Sequence, residues 1–332
     1  MSAQSHSAAT NWRETYLGGD EHAEAELIDT WSREIQEIQY KIRAKDHAAS
    51  LRRGFHAKQH AGVDNAEFVV LDHVPDYLQV GPFQPGARYP AVVRLSNASG
   101  ATQADQKGDL RGLAARVQLG PDTDVDLLAT NGAVSFARDP GQFMAFAKAT
   151  TGSRLMMLPT LLGSVGLSET VRMLRTAVGD TRRTVLSLAT EQYWSRGAYR
   201  FGDFAIRFTF VPMADSAPEP TKDDPDYLRH EIVARLRTEP VSWNFMVQLF
   251  RDEETTPIED AATRWGTELV NIARLTIPQQ DLTEPGHDAV AAAVESMEFN
   301  PWNTTEDLRP LGSINRARLR VYEASQDIRR PR

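Results

Sequence analysis

Apolar residues fall at helical spacing near the start of the chain and alternate with polar ones through much of the rest. Leu27, Trp31, Ile35, Ile38 and Ile42 recur at intervals of four and three. That spacing predicts one amphipathic helix from Asp20 to about Ser50, apolar on one face and rich in Glu, Lys and Arg on the other. Residues 67–72, 90–96, 111–119 and 124–128 are apolar, β-branched or alternating, and Gly, Pro and Asp separate them. They read as four strands. Asp139 followed by Pro140 is a helix-start signal. From there to about Thr190 the pattern is helical, with Leu167, Val171, Leu174 and Val178 on one stripe and Gly163, Gly166 and Gly179 as breaks.

Strands are predicted again at Tyr199 to Val211, Val241 to Phe250 and Val270 to Ile277. A Pro/Asp-rich loop (217–226) and a short helix (227–237) lie between the first two, and helices at 285–297 and 315–329 close the chain. Antiparallel-type strands interrupted by a block of helices indicate an α+β fold built on a large sheet or barrel. Residues 1–19 read as a loose, flexible polar arm and residues 20–332 as a single domain.

Composition narrows the chemistry. The 332 residues carry a formal net charge of −8, which does not suit nucleic acid. No apolar run is long enough to cross a membrane, and the Ser/Ala-rich start lacks an apolar signal core, so a cytoplasmic location is expected. The absence of cysteine excludes disulfides, thiolate-bound metal and cysteine nucleophiles.

Two short stretches stand out. Arg53-Gly54-Phe55-His56-Ala57-Lys58 puts a histidine three residues after an arginine, and Arg318-Leu319-Arg320-Val321-Tyr322 puts an arginine one helical turn before a tyrosine. A lone histidine is most often structural, and an Arg–Tyr pair at this spacing is ordinary on a helix surface. His60, four residues after His56, would share a helix face with it and leaves a non-haem metal site open.

Further short motifs lie in order between them. Val93-Arg94-Leu95-Ser96, Asp109-Leu110-Arg111-Gly112, Asp126 to Asn131, Phe136-Ala137-Arg138-Asp139 and Phe299-Asn300-Pro301 precede Arg318 and Tyr322. Together these resemble the haem catalase superfamily, in particular short catalase-related peroxidases that keep only the catalase core. The resemblance spans roughly residues 45–330. It implies an eight-stranded antiparallel β-barrel with surrounding helices and a haem, of b type with ferric iron, buried beside the barrel.

The resemblance also implies roles. Tyr322 would ligate the iron and Arg318 would support it. His56 would be the distal acid–base group, Ser96 would orient its ring, and Asn131 would position peroxide. Arg53, Arg94 and Arg329 would pair with the propionates, and Phe143 would lie over the haem. The implied reaction reduces hydrogen peroxide and organic hydroperoxides through a ferryl intermediate, with a small organic electron donor as partner.

Departures from the family pattern include Phe55, Gln59-His60, Ala98, Thr130-Asn131-Gly132-Ala133 and Gln326. The arm, wrapping segments and C-terminal domain of larger catalases have no counterpart, so NADPH binding is not expected and a homodimer is. Two other readings of the same pocket are an enzyme that rearranges fatty-acid hydroperoxides and a non-catalytic haem-binding or sensing protein.

Overall fold

A computed structural model describes residues 9–45, 55–100, 102–151, 153–219 and 223–327. Helix α1 (Glu21–Lys45) leads to strands β1 (Gln59–Val70), β2 (Arg88–Asn97), β3 (Arg111–Gly120) and β4 (Thr123–Thr130). Three helices follow: α2 (Pro140–Thr151), α3 (Arg154–Val165) and α4 (Leu167–Arg182). Then come β5 (Tyr193–Trp194), β6 (Ala198–Phe201), β7 (Phe204–Pro212), α5 (Tyr227–Thr238), β8 (Val241–Leu249) and β9 (Leu269–Ile277). The described chain closes with α6 (His287–Ser296), β10 (Pro310–Leu311) and α7 (Ser313–Asp327).

The strands run in the order β7-β5-β4-β3-β2-β1-β9-β8, and β8 pairs back onto β7. The result is the expected closed, eight-stranded antiparallel barrel with helices around it. β6 and β10 extend the sheet beyond the closure. The period-two pattern decides what fills it. Leu95 and Leu113 pair across β2 and β3, Ala129 of β4 pairs with Leu113, and all three join one buried core. Phe68, Phe208 and Phe245 meet in that core, each of the first two rings 5.3 Å from Phe245. A barrel packed with aromatic side chains has no room for a ligand, so a site must lie outside it.

Alternate residues of β2, β3 and β4 point outward, toward α1, α2 and α7. A second apolar cluster joins those helices through Ile35, Ile38, Met144 and Val321. A cavity lies between this cluster and the outer face of the sheet.

Several expectations change in detail. The α1 stripe is rotated: Ile28, Ile35 and Ile38 are buried, whereas Leu27 is exposed. The single strand expected from Tyr199 to Val211 is a hairpin, because Gly202 adopts φ +60° and Phe201 pairs with Phe204. Such a two-residue turn needs a residue that tolerates positive φ. On α4 the residues buried against the body are Thr170 and Met173, while Leu167 is 70% and Val171 56% exposed.

The arm expected to be loose is anchored where it is described. Trp12 Nε1 donates to Asp203 O at 2.9 Å, and Glu14 binds both Arg309 and Arg316. A buried ion cluster of Glu14, Glu24, Glu259 and Arg316 ties this segment to α1 and α7. Residues 46–50 of the expected first helix lie outside the described residues, as do Arg53 and Arg329. No helix among the described residues is long and apolar enough to cross a membrane.

Candidate active site

A cavity of about 770 Å³ opens between the outer face of β2–β4 and helices α1, α2 and α7. His56, Arg94, Ser96, Phe143, Arg318 and Tyr322 all line it. His56 sits just before β1, in a backbone conformation with φ +60°. That region is costly for most residues other than glycine, and histidine is among the few that visit it. Hydrogen bonds to its backbone hold the strain in place: His56 N donates to Ala98 O at 3.0 Å, and His56 O accepts from the Arg94 side chain (Nη2) at 2.8 Å.

The imidazole is fixed on two sides. Ser96 Oγ lies 3.1 Å from Nδ1. Beneath the ring is Gly112, where an added Cβ would stand 2.5 Å from His56 Nδ1 and 2.6 Å from Cε1. Ser96, Gly112 and Thr130 form one row across β2, β3 and β4, since Ser96 pairs with Gly112 and Gly112 with Thr130. Residues paired in this way share a face of the sheet.

The helical wall carries Tyr322. Arg318, one turn earlier on α7, donates from Nε to the phenol oxygen at 3.3 Å and covers the ring face at 5.2 Å. Arg318 is itself held by Asn315 Oδ1 at 3.1 Å. Burial alone would lower the guanidinium pKa, but the hydroxyls of Tyr322 and Tyr199 outweigh it and raise it. An aromatic wall joins the two sides: Phe143 packs edge-on against Phe55 at 5.5 Å and stacks on Phe136 at 5.4 Å.

Arg94 is buried, and its fork is filled. Nε and Nη2 both donate to Glu295 Oε2, at 3.0 and 2.6 Å, and Nε also donates to Gln59. A guanidinium held this way already recognises a carboxylate. Asp109, at another edge of the cavity, accepts from Ser99 N at 3.1 Å, and burial raises its pKa.

Asn131, expected to face a peroxide, does not line the cavity. Its Oδ1 accepts from Arg111 N and its Nδ2 donates to Glu191 Oε2, each at 2.7 Å. The preceding residue, Thr130, lines the cavity instead. Counting by two from the outward-facing Leu128 selects Thr130, a signal present in the alternation of β4. Arg196, also missed, lines the cavity at φ +60° and braces Val134 O and Asp180. Burial pushes it down to about 10, against the opposing effect of Asp180.

His60 is not beside His56 on a helix. It lies on β1, fully buried, with no hydrogen-bond partner for either ring nitrogen. Asp105 Oδ1 lies 3.9 Å from its Nε2. No cluster of three or more potential metal-ligating His, Cys, Asp or Glu exists among the described residues. His56 and His60 do not share a helix face.

Comparison with known proteins gives a consistent picture. The family model described as catalase matches residues 34–159. A catalase-related peroxidase of Mycolicibacterium paratuberculosis (strain ATCC BAA-968 / K-10) is 31% identical over 274 residues, covering 76% of this chain and 82% of that protein. Among solved structures, a bacterial catalase superposes with TM-score 0.65 at 17% identity over 87% of this chain. A fungal catalase gives 0.66 at 17% over 87%. Catalase A from Saccharomyces cerevisiae gives 0.65 at 17% over 96% of this chain and 67% of its own. The chain spans 59% and 61% of the length of the bacterial and fungal catalases.

Proposed function

This chain belongs to the catalase family, and from that premise we propose that it is a haem peroxidase that reduces hydroperoxides, with Tyr322 as the iron ligand and His56 as the acid–base group. The observation that carries the proposal is the pairing within one cavity. His56, held by Ser96, stands on the sheet wall, and Tyr322, held by Arg318, stands on the helical wall.

The residues present suit a haem. The cavity is largely aromatic and aliphatic, as a porphyrin face requires, with Phe143 on one side and Val321 and Tyr322 on another. The absence of a side chain at Gly112 leaves room for an imidazole to lie flat against the sheet. Arg318 supplies positive charge beside the Tyr322 phenol oxygen, which would hold a ferric ion as phenolate. Arg94 would receive a propionate in place of, or alongside, Glu295.

Haem iron, when bound, supplies the electron transfer that breaks the O–O bond. The protein's own groups manage the protons. His56 takes the proton from one peroxide oxygen and returns it to the oxygen that leaves as water or alcohol. An imidazole titrates near neutrality and suits both transfers. Ser96 at Nδ1 fixes the ring so that Nε2 is the atom that works. A small organic donor or a second peroxide would supply the two electrons that balance the reduction of the peroxide. In this reading the protein is a cytoplasmic homodimer, with residues 20–332 as one haem-binding domain.

Organic hydroperoxides are proposed as substrates beside hydrogen peroxide. Phe55 and Ala98 line the cavity with His56, and Phe55 packs edge-on against Phe143. The test is donor oxidation by the haem-loaded protein with cumene hydroperoxide and with hydrogen peroxide. Comparable turnover of both supports the reading. Rapid oxygen release from hydrogen peroxide with no action on cumene hydroperoxide contradicts it.

A further inference from the structure

We propose that the hydroxyl of Thr130, rather than the amide of Asn131, is the second polar group that binds and orients a peroxide beside His56. The inference rests on the haem peroxidase reading and deepens it by assigning a substrate-contacting residue.

The row Ser96–Gly112–Thr130 carries the argument. Ser96 holds the His56 ring, the ring lies on Gly112, and Thr130 is the next residue along the same face. Adjacent strands are about 4.8 Å apart, so Thr130 stands roughly one strand spacing beyond the residue beneath the imidazole. A ligand touching the exposed edge of the ring is then within reach of the threonine side chain.

The second observation is the state of the hydroxyl. Thr130 Oγ1 is buried and has no hydrogen-bond partner, although the residue lines the cavity. Buried hydroxyls are ordinarily paired, and one without a partner beside a cavity can turn about χ1 to bond what enters. Asn131 shows the opposite state. Both of its amide atoms are engaged, and Glu191, which accepts from it, is also held by Arg183. Turning that amide to the cavity would break both bonds and leave Glu191 to Arg183 alone.

The exchange alters specificity as well as position. A hydroxyl both donates and accepts, as a peroxide oxygen does, so it can pair with either oxygen of the substrate. It is also smaller than a carboxamide and leaves more room around the outer oxygen. The geometry therefore favours hydroperoxides that carry an organic substituent.

The test uses Thr130→Val, which keeps the shape and removes the donor, and Thr130→Ser, which keeps the donor. Each protein is loaded with haem, and fluoride binding to the ferric form is titrated by absorption. Fluoride is chosen because it accepts a hydrogen bond at the position a peroxide would occupy. The expected result is an unchanged haem spectrum in Thr130→Val with fluoride bound about tenfold more weakly, and near wild-type binding in Thr130→Ser. Equal fluoride affinity in Thr130→Val and wild type overturns the assignment while leaving the haem reading intact. A loss confined to Asn131→Ala overturns it as well. Failure of the wild type to take up haem overturns the underlying reading and this inference together.

Discussion

Ser96 Oγ stands 3.1 Å from Nδ1 of His56, and the imidazole it holds lies over Gly112, directly opposite Ser96 in the neighbouring strand. The orientation of the histidine is thus set by the sheet. A methyl group at position 112 would meet the ring at 2.5 Å and Ser96 Oγ at 3.0 Å, so the ring would be forced out of its place. Gly112→Ala is therefore expected to keep its melting temperature within a few degrees but to lose most peroxide turnover. Full activity in this variant would contradict the role given to the His56 ring.

His56→Ala is expected to keep cofactor uptake, because the ring contributes no ligand to the helical wall. Turnover of hydroperoxides should fall about 10²- to 10⁴-fold, the usual contribution of a positioned acid–base group. Ser96→Ala should cost less, since it loosens the ring without removing it. The check is steady-state donor oxidation normalised to bound haem.

Burial, followed by the positive charges of Arg111 and Lys58, lowers the pKa of His60 well below its ordinary value of 6.5. The unfolded chain therefore takes up a proton at His60 that the native state does not. Stability from this group is complete above pH 6.5 and is lost as pH falls below it toward the folded value. The slope reaches up to about 1.4 kcal/mol per pH unit. His60→Leu should flatten that part of the acid side of a denaturation–pH profile. An unchanged slope between pH 6.5 and 5 would contradict the buried neutral state.

Glu295 occupies the fork of the buried Arg94. Glu295→Ala leaves that guanidinium short of a carboxylate. The cofactor-free protein should lose about 1–2 kcal/mol, less than a fully buried pair would cost because Glu295 is partly exposed. Haem propionate would then restore the missing charge, so haem loading should raise the melting temperature more in the variant than in the wild type. A smaller rise would argue against a propionate at Arg94.

The barrel was legible because strand alternation and turn residues agree over long segments, and because motifs such as Val93-Arg94-Leu95-Ser96 fall on strands whose two faces differ. The site was less so. Choosing between Thr130 and Asn131 depends on which face of β4 looks outward, and a one-residue slip reverses it. His56 and His60 share a face only if the segment is helical, and the positive φ at His56 and the strand at His60 break that relation. The stripe of Leu167 and Val171 has helical spacing, yet its exposure depends on where α4 docks, which spacing alone does not encode. Arg196 gave no sequence signal, since its place at the cavity follows from a backbone conformation rare outside glycine.

The most direct test of the central claim is the absorption spectrum of the haem-reconstituted protein, recorded beside Tyr322→Phe. The expected wild-type spectrum is high-spin ferric with the features of a phenolate axial ligand, and it should change on addition of hydroperoxide. In Tyr322→Phe the phenolate features should vanish even where haem is retained. Identical spectra in the two proteins would show that Tyr322 does not bind the iron, and the proposed site would be wrong at its centre.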